Sequence, residues 1–431
     1  MLIGIVGMGY VGLTLAVSLA NKGIKVIGLE IDKEKVNTII SGTLPFFEVG
    51  MEEALVKATL NTNLKITSNP SELEYVTHCF ITVGTPLLNG INDITQIENV
   101  VNTLAPLMSK DSIFCLRSTV ALGTSRKIKK LLIEIGHNGY IAICPERTIE
   151  GNALNELSQL PQIIGAEDKI TSDACLEIFN KLSVKTILTQ NFEVAELAKL
   201  ACNAWRDLYF AFANEIALIG EDQKINSVKA LEVAQIDYPR FRVARPGPVG
   251  GPCLVKDGKT LANSSLRRND MGSLFDTARA VNQEVVNWAI EEVEKISKNF
   301  SQPEIEIGIL GVSFKSFPLT DDLRNSPTVD FISLAANKWP KLKMNAWDSI
   351  VSYSKFRELI NNSNITFSNT FEDVLANSKI LIIWHKLSES DSLSLKQGLS
   401  TSTNKVIIDL NANFNRNDLG EHEYFSFGSG Y

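Results

Sequence analysis

Cys253 stands in Arg245-Pro-Gly-Pro-Val-Gly-Gly-Pro-Cys-Leu-Val-Lys-Asp257, directly after two glycines and a proline. That punctuation predicts a cysteine in the first turn of a helix, where unpaired amides and the helix dipole favour a thiolate able to attack a carbonyl. Lys256 is near, and Asp257 lies one turn on, on the same face. A buried structural cysteine is the alternative reading of this residue by itself. The other five cysteines (Cys79, Cys115, Cys144, Cys175, Cys202) sit inside apolar strand or helix patterns, where cysteine is a small hydrophobe. Lys199 and Asn203 occur in Glu193-Val-Ala-Glu-Leu-Ala-Lys-Leu-Ala-Cys-Asn-Ala-Trp205. Their spacing of four puts an ammonium and an amide on one face of an otherwise apolar helix. Burying them is costly without a task or partners; a lysine reaching out to solvent is the alternative.

A second constellation is Gly7-Met8-Gly9-Tyr10-Val11-Gly12, which follows an apolar run at 2–6 and opens a helical pattern. This is the context a dinucleotide fingerprint requires: glycines allow the tight turn, the approach of backbone amides to a pyrophosphate and the packing of helix on strand. Glu30 ends the next apolar run, about 20 residues on, where a carboxylate accepts hydrogen bonds from ribose hydroxyls. It would repel a 2′-phosphate, so NAD is favoured over NADP; a strained turn or an FAD site is the alternative.

These groups need a scaffold. Apolar runs at 2–6, 25–29, 79–83, 112–116, 140–144 and 162–164 alternate with helical-period segments, which implies a parallel sheet of βαβ units. From 192 to 221 the pattern is almost continuously helical. From 274 to 298 apolar residues recur at 274, 278, 281, 285, 289, 293 and 296, a stripe with one buried face. Pro303 opens a stretch with strands expected at 305–311, 342–347, 380–384 and 406–410. The expected fold is α/β: two Rossmann-like doubly wound domains, residues 1–190 and 300–431, joined by a long-helix central segment, 191–299, which carries the cysteine turn and a candidate dimer interface.

Composition narrows the class. The 431 residues are 44% apolar and 21% charged, the balance of an ordinary globular protein with more than one core. A net charge of −7 with scattered Lys and Arg argues against a nucleic-acid partner. No apolar run is long enough to span a bilayer and no secretory leader pattern opens the chain, so a cytoplasmic protein without a membrane partner is expected. The cysteines lack disulfide or zinc spacing, and His78, His137, His385 and His422 lie at no metal-ligand spacing, so no metal is expected.

The fingerprint, Val83-Gly84-Thr85-Pro86, Arg117-Ser118-Thr119-Val120, Pro145-Glu146-Arg147, the Lys199 helix, the turn from Gly250 to Asp257, and the stretch from Gly311-Val-Ser-Phe-Lys315 to Asp321-Asp-Leu-Arg-Asn-Ser-Pro327 together resemble the UDP-glucose/GDP-mannose dehydrogenase family. Order and spacing agree over nearly the whole chain. The resemblance implies oxidation of the C6 alcohol of a UDP-sugar to a carboxylate by two hydride transfers through a thiohemiacetal and a thioester. By that match Cys253 is the nucleophile, Lys199 stabilises the oxyanion on C6, Asn203 and Asp257 position water and accept protons, and Glu146 and Thr119 complete the water network. An ion pair of Glu146 with Arg147 is the alternative for that carboxylate. The resemblance further assigns Gly7, Gly9, Tyr10, Val11, Gly12, Glu30, Lys35, Thr85, Thr119, Glu150 and Arg324 to the cofactor. Lys199, Asn203, Arg240, Gly250, Phe314 and Lys315 fall to the substrate. The fork of Arg324 suits phosphate, while a solvated loop with an Asp322 to Arg324 pair is the alternative there. Arg240 matches a residue that reaches a partner subunit's substrate, which implies a homodimer or higher homo-oligomer.

The chain departs from the family pattern at Gly84, in the loop 246–251, which looks one glycine short, at Gly258, and at Trp347-Asp348-Ser349. None of these removes a reactive group. Pro145-Glu-Arg147 with Glu150-Gly151 and Leu160-Pro-Gln-Ile163 is similar to the branch acting on UDP-N-acetylhexosamines, whereas the UDP-glucose branch carries Pro-Glu-Phe-Leu. UDP-N-acetylmannosamine or UDP-N-acetylglucosamine is therefore the expected substrate. The competing readings are a UDP-glucose 6-dehydrogenase, a hydroxyacid-type dehydrogenase that oxidises once and leaves Cys253 without a task, and an inactive nucleotide-sugar-binding regulator.

Overall fold

Strand β1, Leu2–Val6, carries no polar side chain and is buried almost throughout. A strand so apolar is stable only inside a sheet covered on both faces. Around it lie β2 (Lys25–Leu29), β3 (Leu64–Thr67), β4 (His78–Ile81), β7 (Ile113–Leu116), β8 (Ile141–Ile143), β9 (Gln162–Gly165) and β10 (Thr186–Thr189), with β5 (Leu87–Leu88) and β6 (Ile91–Asn92) forming a separate antiparallel hairpin. The sheet order is β10-β9-β8-β7-β4-β1-β2-β3. Its order reverses at β1, which pairs with β2 on one side and β4 on the other, the place where doubly wound folds bind ligands at the strands' carboxyl ends. Alternate side chains feed two cores: Ile5, Phe80 and Cys115 pack with Leu13 and Phe179, while Cys79, Ile81, Phe114 and Leu116 pack with Val101 and Ile128 on the other face.

The computed structural model describes residues 1–182, 185–265, 273–298 and 306–430. The chain divides into two units, Met1–Asn203 with Lys259–Arg267, and Ala204–Gly258 with Arg268–Tyr431. The second unit holds β11 (Glu306–Leu310), β12 (Lys343–Trp347), β13 (Ile365–Phe367), β14 (Ile380–Ile383), β15 (Val406–Asp409) and β16 (Glu423–Ser426), all parallel, in the order β13-β12-β11-β14-β15-β16. Both sheets are therefore doubly wound, as expected. The helices Phe192–Gln223 and Leu274–Ser297 are also present, and the second buries Ala278, Val285, Ala289, Val293 and Ile296 of the expected stripe. Among the described residues no helix is long and apolar enough to cross a membrane.

The structure corrects several expectations. Six short strands, β3, β5, β6, β10, β13 and β16, lie outside the expected apolar runs. Four of them, β3, β10, β13 and β16, end a sheet, and an edge strand with one pairing partner tolerates polar and exposed residues such as Lys65 and Glu423. The first sheet is not wholly parallel: β8 meets β9 antiparallel at Ile143 and Gly165. Only a loop and the single-turn helix Ala153–Glu156 connect them, with no crossover helix to bring the chain back to the same end. Cys202 is exposed rather than packed inside an apolar pattern; it lies with Ala201 and Trp205 on the uncovered side of its helix. Leu274, counted in the buried stripe, is also exposed. Pro303 and Ile305, read as opening the last domain, and the 299/300 boundary lie outside the described residues.

Candidate active site

In the first unit the chain leaves β1 at Gly7, whose φ of +91° only glycine adopts cheaply, and enters the helix Tyr10–Asn21. A side chain on Gly12 would collide with the Gly7 carbonyl oxygen and the Thr82 hydroxyl, whereas a Cβ on Gly9 would meet nothing within 4 Å. The turn is thus tight where helix meets strand and open where a phosphate must approach. Gly9 caps the helix with no side chain of its own, leaving the first amides to an anion. Glu30 is buried at the end of β2, where Oε2 accepts from the Met8 amide (3.0 Å) and Oε1 from the Asp32 amide (3.1 Å). Lys35 Nζ stands 3.3 Å from the same carboxylate. Tyr10 stacks on Phe46 at 4.1 Å. Val11 is half-buried in the same first helical turn. An open glycine turn beside a pre-aimed carboxylate fits a dinucleotide.

Next along the sheet, the hydroxyl of Thr85, after β4, donates to the Thr119 carbonyl (2.6 Å), after β7, which ties those two strand ends together. Glu196, one turn before Lys199, accepts from the amides of Gly123 (2.6 Å) and Ser125 (2.8 Å), so the turn that follows Thr119 is held by the Lys199 helix. Lys199 and Asn203 are both buried, 8% and 7% exposed, so this lysine does not reach out to solvent.

Glu146 is paired with Arg117, not Arg147. Arg117 Nε and Nη2 donate to Glu146 Oε2 at 3.1 and 2.5 Å, while Oε1 accepts from the amides of Arg147 (2.7 Å) and Thr148 (3.0 Å). Burial pushes this carboxyl up, but the Arg117 charge and the two amides outweigh it and hold the group below its usual range. Four donors on two oxygens describe an anionic anchor. The loop beyond is fastened by two more carboxylates: Glu156 accepts from the Ile149 amide (2.8 Å), and buried Glu48 from the amides of Gly151 (2.8 Å) and Ala153 (2.7 Å). Glu150 is thereby set between two pinned amides.

In the second unit Cys253 is an exposed thiol at the second position of the helix Pro252–Asn263, and Asp257, one turn on, is fully buried with Lys256 Nζ 3.6 Å from its Oδ1. A side chain on Gly250 would strike the Asn325 carbonyl, and one on Gly251 the Phe314 ring. Gly251, next to Gly250, and Phe314 are thus brought together. The Phe314 amide donates to the Asp322 carbonyl (3.0 Å), and Lys315 Nζ lies 5.6 Å from the Phe314 ring centre. Arg324 makes the local pair with Asp322, its Nε 2.9 Å from both carboxylate oxygens, with its side chain 60% exposed. Arg240 lies on an exposed turn, its guanidinium 4.7 Å from the centre of the Tyr238 ring.

Arg117, Glu196 and Glu48 were not singled out from the sequence as site residues. A signal existed for the first: an arginine directly after the wholly apolar β7 must be buried, and a buried guanidinium needs an acid. Glu196 and Glu48 gave none, since their partners are backbone amides 71 to 105 residues away.

The chain belongs to the UDP-glucose/GDP-mannose dehydrogenase family: residues 1–183 match its NAD-binding domain, 193–284 its central domain and 308–416 its UDP-binding domain. It is accordingly an NAD-dependent UDP-sugar dehydrogenase, an oxidoreductase. The UDP-N-acetyl-D-mannosamine dehydrogenase of Pyrococcus horikoshii is 31% identical over 347 residues, covering 78% of this chain and 81% of that protein. The enzyme of the same name from Methanococcus aeolicus is 30% identical over 428 residues, 98% of this chain and 93% of its own. A solved structure described as a UDP-D-ManNAc dehydrogenase from Pyrococcus horikoshii superposes with a TM-score of 0.86 at 26% identity, covering 100% of both chains.

Proposed function

We propose that this enzyme oxidises C6 of UDP-N-acetylmannosamine, or of its glucosamine epimer, to the carboxylate while holding the sugar on Cys253 between two oxidations. One observation carries the reading: an exposed thiol in the first turn of a helix whose next turn bears the buried carboxylate of Asp257. The amino-sugar choice is supported by Pro145-Glu-Arg147 and by the names of the relatives.

NAD, when bound, accepts a hydride from C6 in each of the two oxidations. Lys199 holds the C6 oxygen as its proton leaves and the alcohol becomes an aldehyde. The Cys253 thiolate adds to that carbonyl, and the oxyanion collects a proton to give a thiohemiacetal. Loss of a second hydride and a proton leaves the thioester; water, oriented by Asn203 and Asp257, then breaks the carbon–sulfur bond and returns the thiol. Glu146 serves as a fixed anion that holds the loop of Arg147 and Glu150. Residues 1–190 bind the cofactor, 191–299 carry the thiol, and 300–431 bind UDP through Phe314 and Lys315, with Arg324 turned to phosphate.

A homodimer belongs to this reading. Val194, Leu197, Trp205, Phe212 and Ile219 form an exposed apolar stripe along the helix Phe192–Gln223, and Trp205 alone is 65% exposed. Such a face is stable in water when a second copy covers it, and exposed Arg240 would then reach that copy's substrate.

The test is a panel of UDP-sugars with purified enzyme and NAD, with NADH counted and product mass recorded. Two NADH per uronate, fastest with UDP-N-acetylmannosamine, is expected; faster turnover of UDP-glucose overturns the sugar, and one NADH per substrate supports the single-oxidation rival. Cys253→Ser should stop acid release, because a seryl ester hydrolyses slowly. Undiminished uronate from that variant removes the cysteine from the mechanism.

A further inference from the structure

The turn that delivers Cys253 is fastened at alternate residues, twice by side chains outside the chemistry above and once by a backbone carbonyl. Asn214, fully buried, grips both backbone groups of Gly247: Nδ2 donates to the Gly247 carbonyl (3.0 Å), and Oδ1 accepts from the Gly247 amide (2.8 Å). Two residues on, Arg279 Nη2 donates to the Val249 carbonyl (2.7 Å). Two further, the Gly251 amide donates to the Asn325 carbonyl (2.9 Å). Cys253 follows after the next two.

Behind the turn these side chains form one closed cluster. Asn214 Nδ2 also donates to Asn282 Oδ1 (2.8 Å), Asn282 Nδ2 donates to Asp207 Oδ1 (2.8 Å) and to its carbonyl (3.1 Å), and Arg279 Nη1 donates to Asp207 Oδ1 (2.9 Å). Burial pushes the Asp207 carboxyl up against the pull of Arg279. Two amides, a carboxylate and a guanidinium are costly to bury, and an apolar repacking could fill the volume with less desolvation. Here the cluster's outward bonds end on the backbone of residues 247 and 249, in a segment with three glycines and two prolines that carries few side chains able to hold it in place.

We propose that Asn214 and Arg279 are positioning residues for Cys253: through Gly247 and Val249 they set where the thiol stands when it meets the aldehyde. This rests on the covalent reading above. A thiol displaced by about 1 Å loses on the order of 100-fold in rate, and the aldehyde then escapes before it is captured.

The experiment compares wild type with Asn214→Ala, Arg279→Met and Arg279→Lys. Expected in the first two are a kcat lower by about 10- to 100-fold, a KM for NAD within about twofold, slower iodoacetamide labelling of Cys253, and NADH per consumed substrate falling from two toward one as aldehyde appears. Arg279→Lys keeps a donor and should fall between wild type and Arg279→Met, a rescue that merely weakened packing would not give. Should Asn214→Ala fail to fold, the arginine pair carries the comparison alone. Labelling and NADH yield at wild-type values in folded Arg279→Met overturn the proposal. Failure of the covalent reading has a separate signature: Cys253→Ser then makes uronate undiminished, or wild type itself yields one NADH.

Discussion

The two sheets share a strand order around the reversal, yet only one keeps an open dinucleotide turn. After β1, Gly9 faces space and Glu30 spends two backbone donors, from Met8 and Asp32, on its two oxygens. After β11, the corresponding carboxylate, Asp348 at the end of β12, is saturated from within: Oδ2 accepts from the amides of Val312 (2.8 Å) and Ser313 (3.0 Å) and the Ser313 hydroxyl (3.2 Å), and Oδ1 from the amides of Ile350 (3.0 Å) and Val351 (3.3 Å). The His385 ring, after β14, donates through Nε2 to the Ser313 carbonyl (2.8 Å) and sits where a side chain on Gly311 would be. The same topology thus leaves the glycine turn open in one unit and fills it with the His385 ring in the other. Both carboxylates accept from backbone amides; what differs is whether the glycine turn beside them stays open or is occupied by a side chain of the protein.

The comparison can be broken at several points, the largest effect first. Arg117 and Glu146 form a buried ion pair, whereas Asp348 is satisfied by neutral donors. Glu146→Gln should strand the arginine and destabilise the first unit by about 3–5 kcal/mol, read from urea denaturation; a loss under about 1 kcal/mol would show that the pair matters little. Because the folded Glu146 carboxyl titrates below its unfolded value, its contribution is present above the ordinary carboxylate range and lost as pH falls through the lowered one. Wild type and Glu146→Gln should therefore converge in stability toward acid. Asp348→Asn should cost roughly 2–3 kcal/mol while leaving the KM for NAD unchanged, and a raised KM would give the second crevice a cofactor role. Glu30→Gln should do the reverse, weakening NAD binding about tenfold, or about 1.4 kcal/mol, in a calorimetric titration, with little change in melting. Equal loss of stability in both variants would erase the distinction between the open and the filled turn. Smallest of all, Cys202→Ser, on an exposed helix face, should shift stability by less than about 0.5 kcal/mol and leave turnover intact.

Much of this was written in short-range pattern. The glycine turn followed by Glu30, the apolar runs of the inner strands, the helix stripe from Ala278 to Ile296 and the start of the Cys253 helix all depend on neighbours within a few residues, so periodicity and turn chemistry reveal them. Edge strands such as β3 and β16 were hidden because one pairing partner suffices for them, and composition then says little. The tertiary structure alone decided who partners whom. Glu146 could have met Arg147 beside it, yet the register of β7 on β8 brings Arg117, 29 positions earlier, to its carboxylate. Likewise Glu196 could not announce the Gly123 turn, nor Asn214 the backbone of Gly247, because a buried polar group is satisfied by whatever donor the packed sheet and helices place within about 3 Å, however far away it lies in the chain.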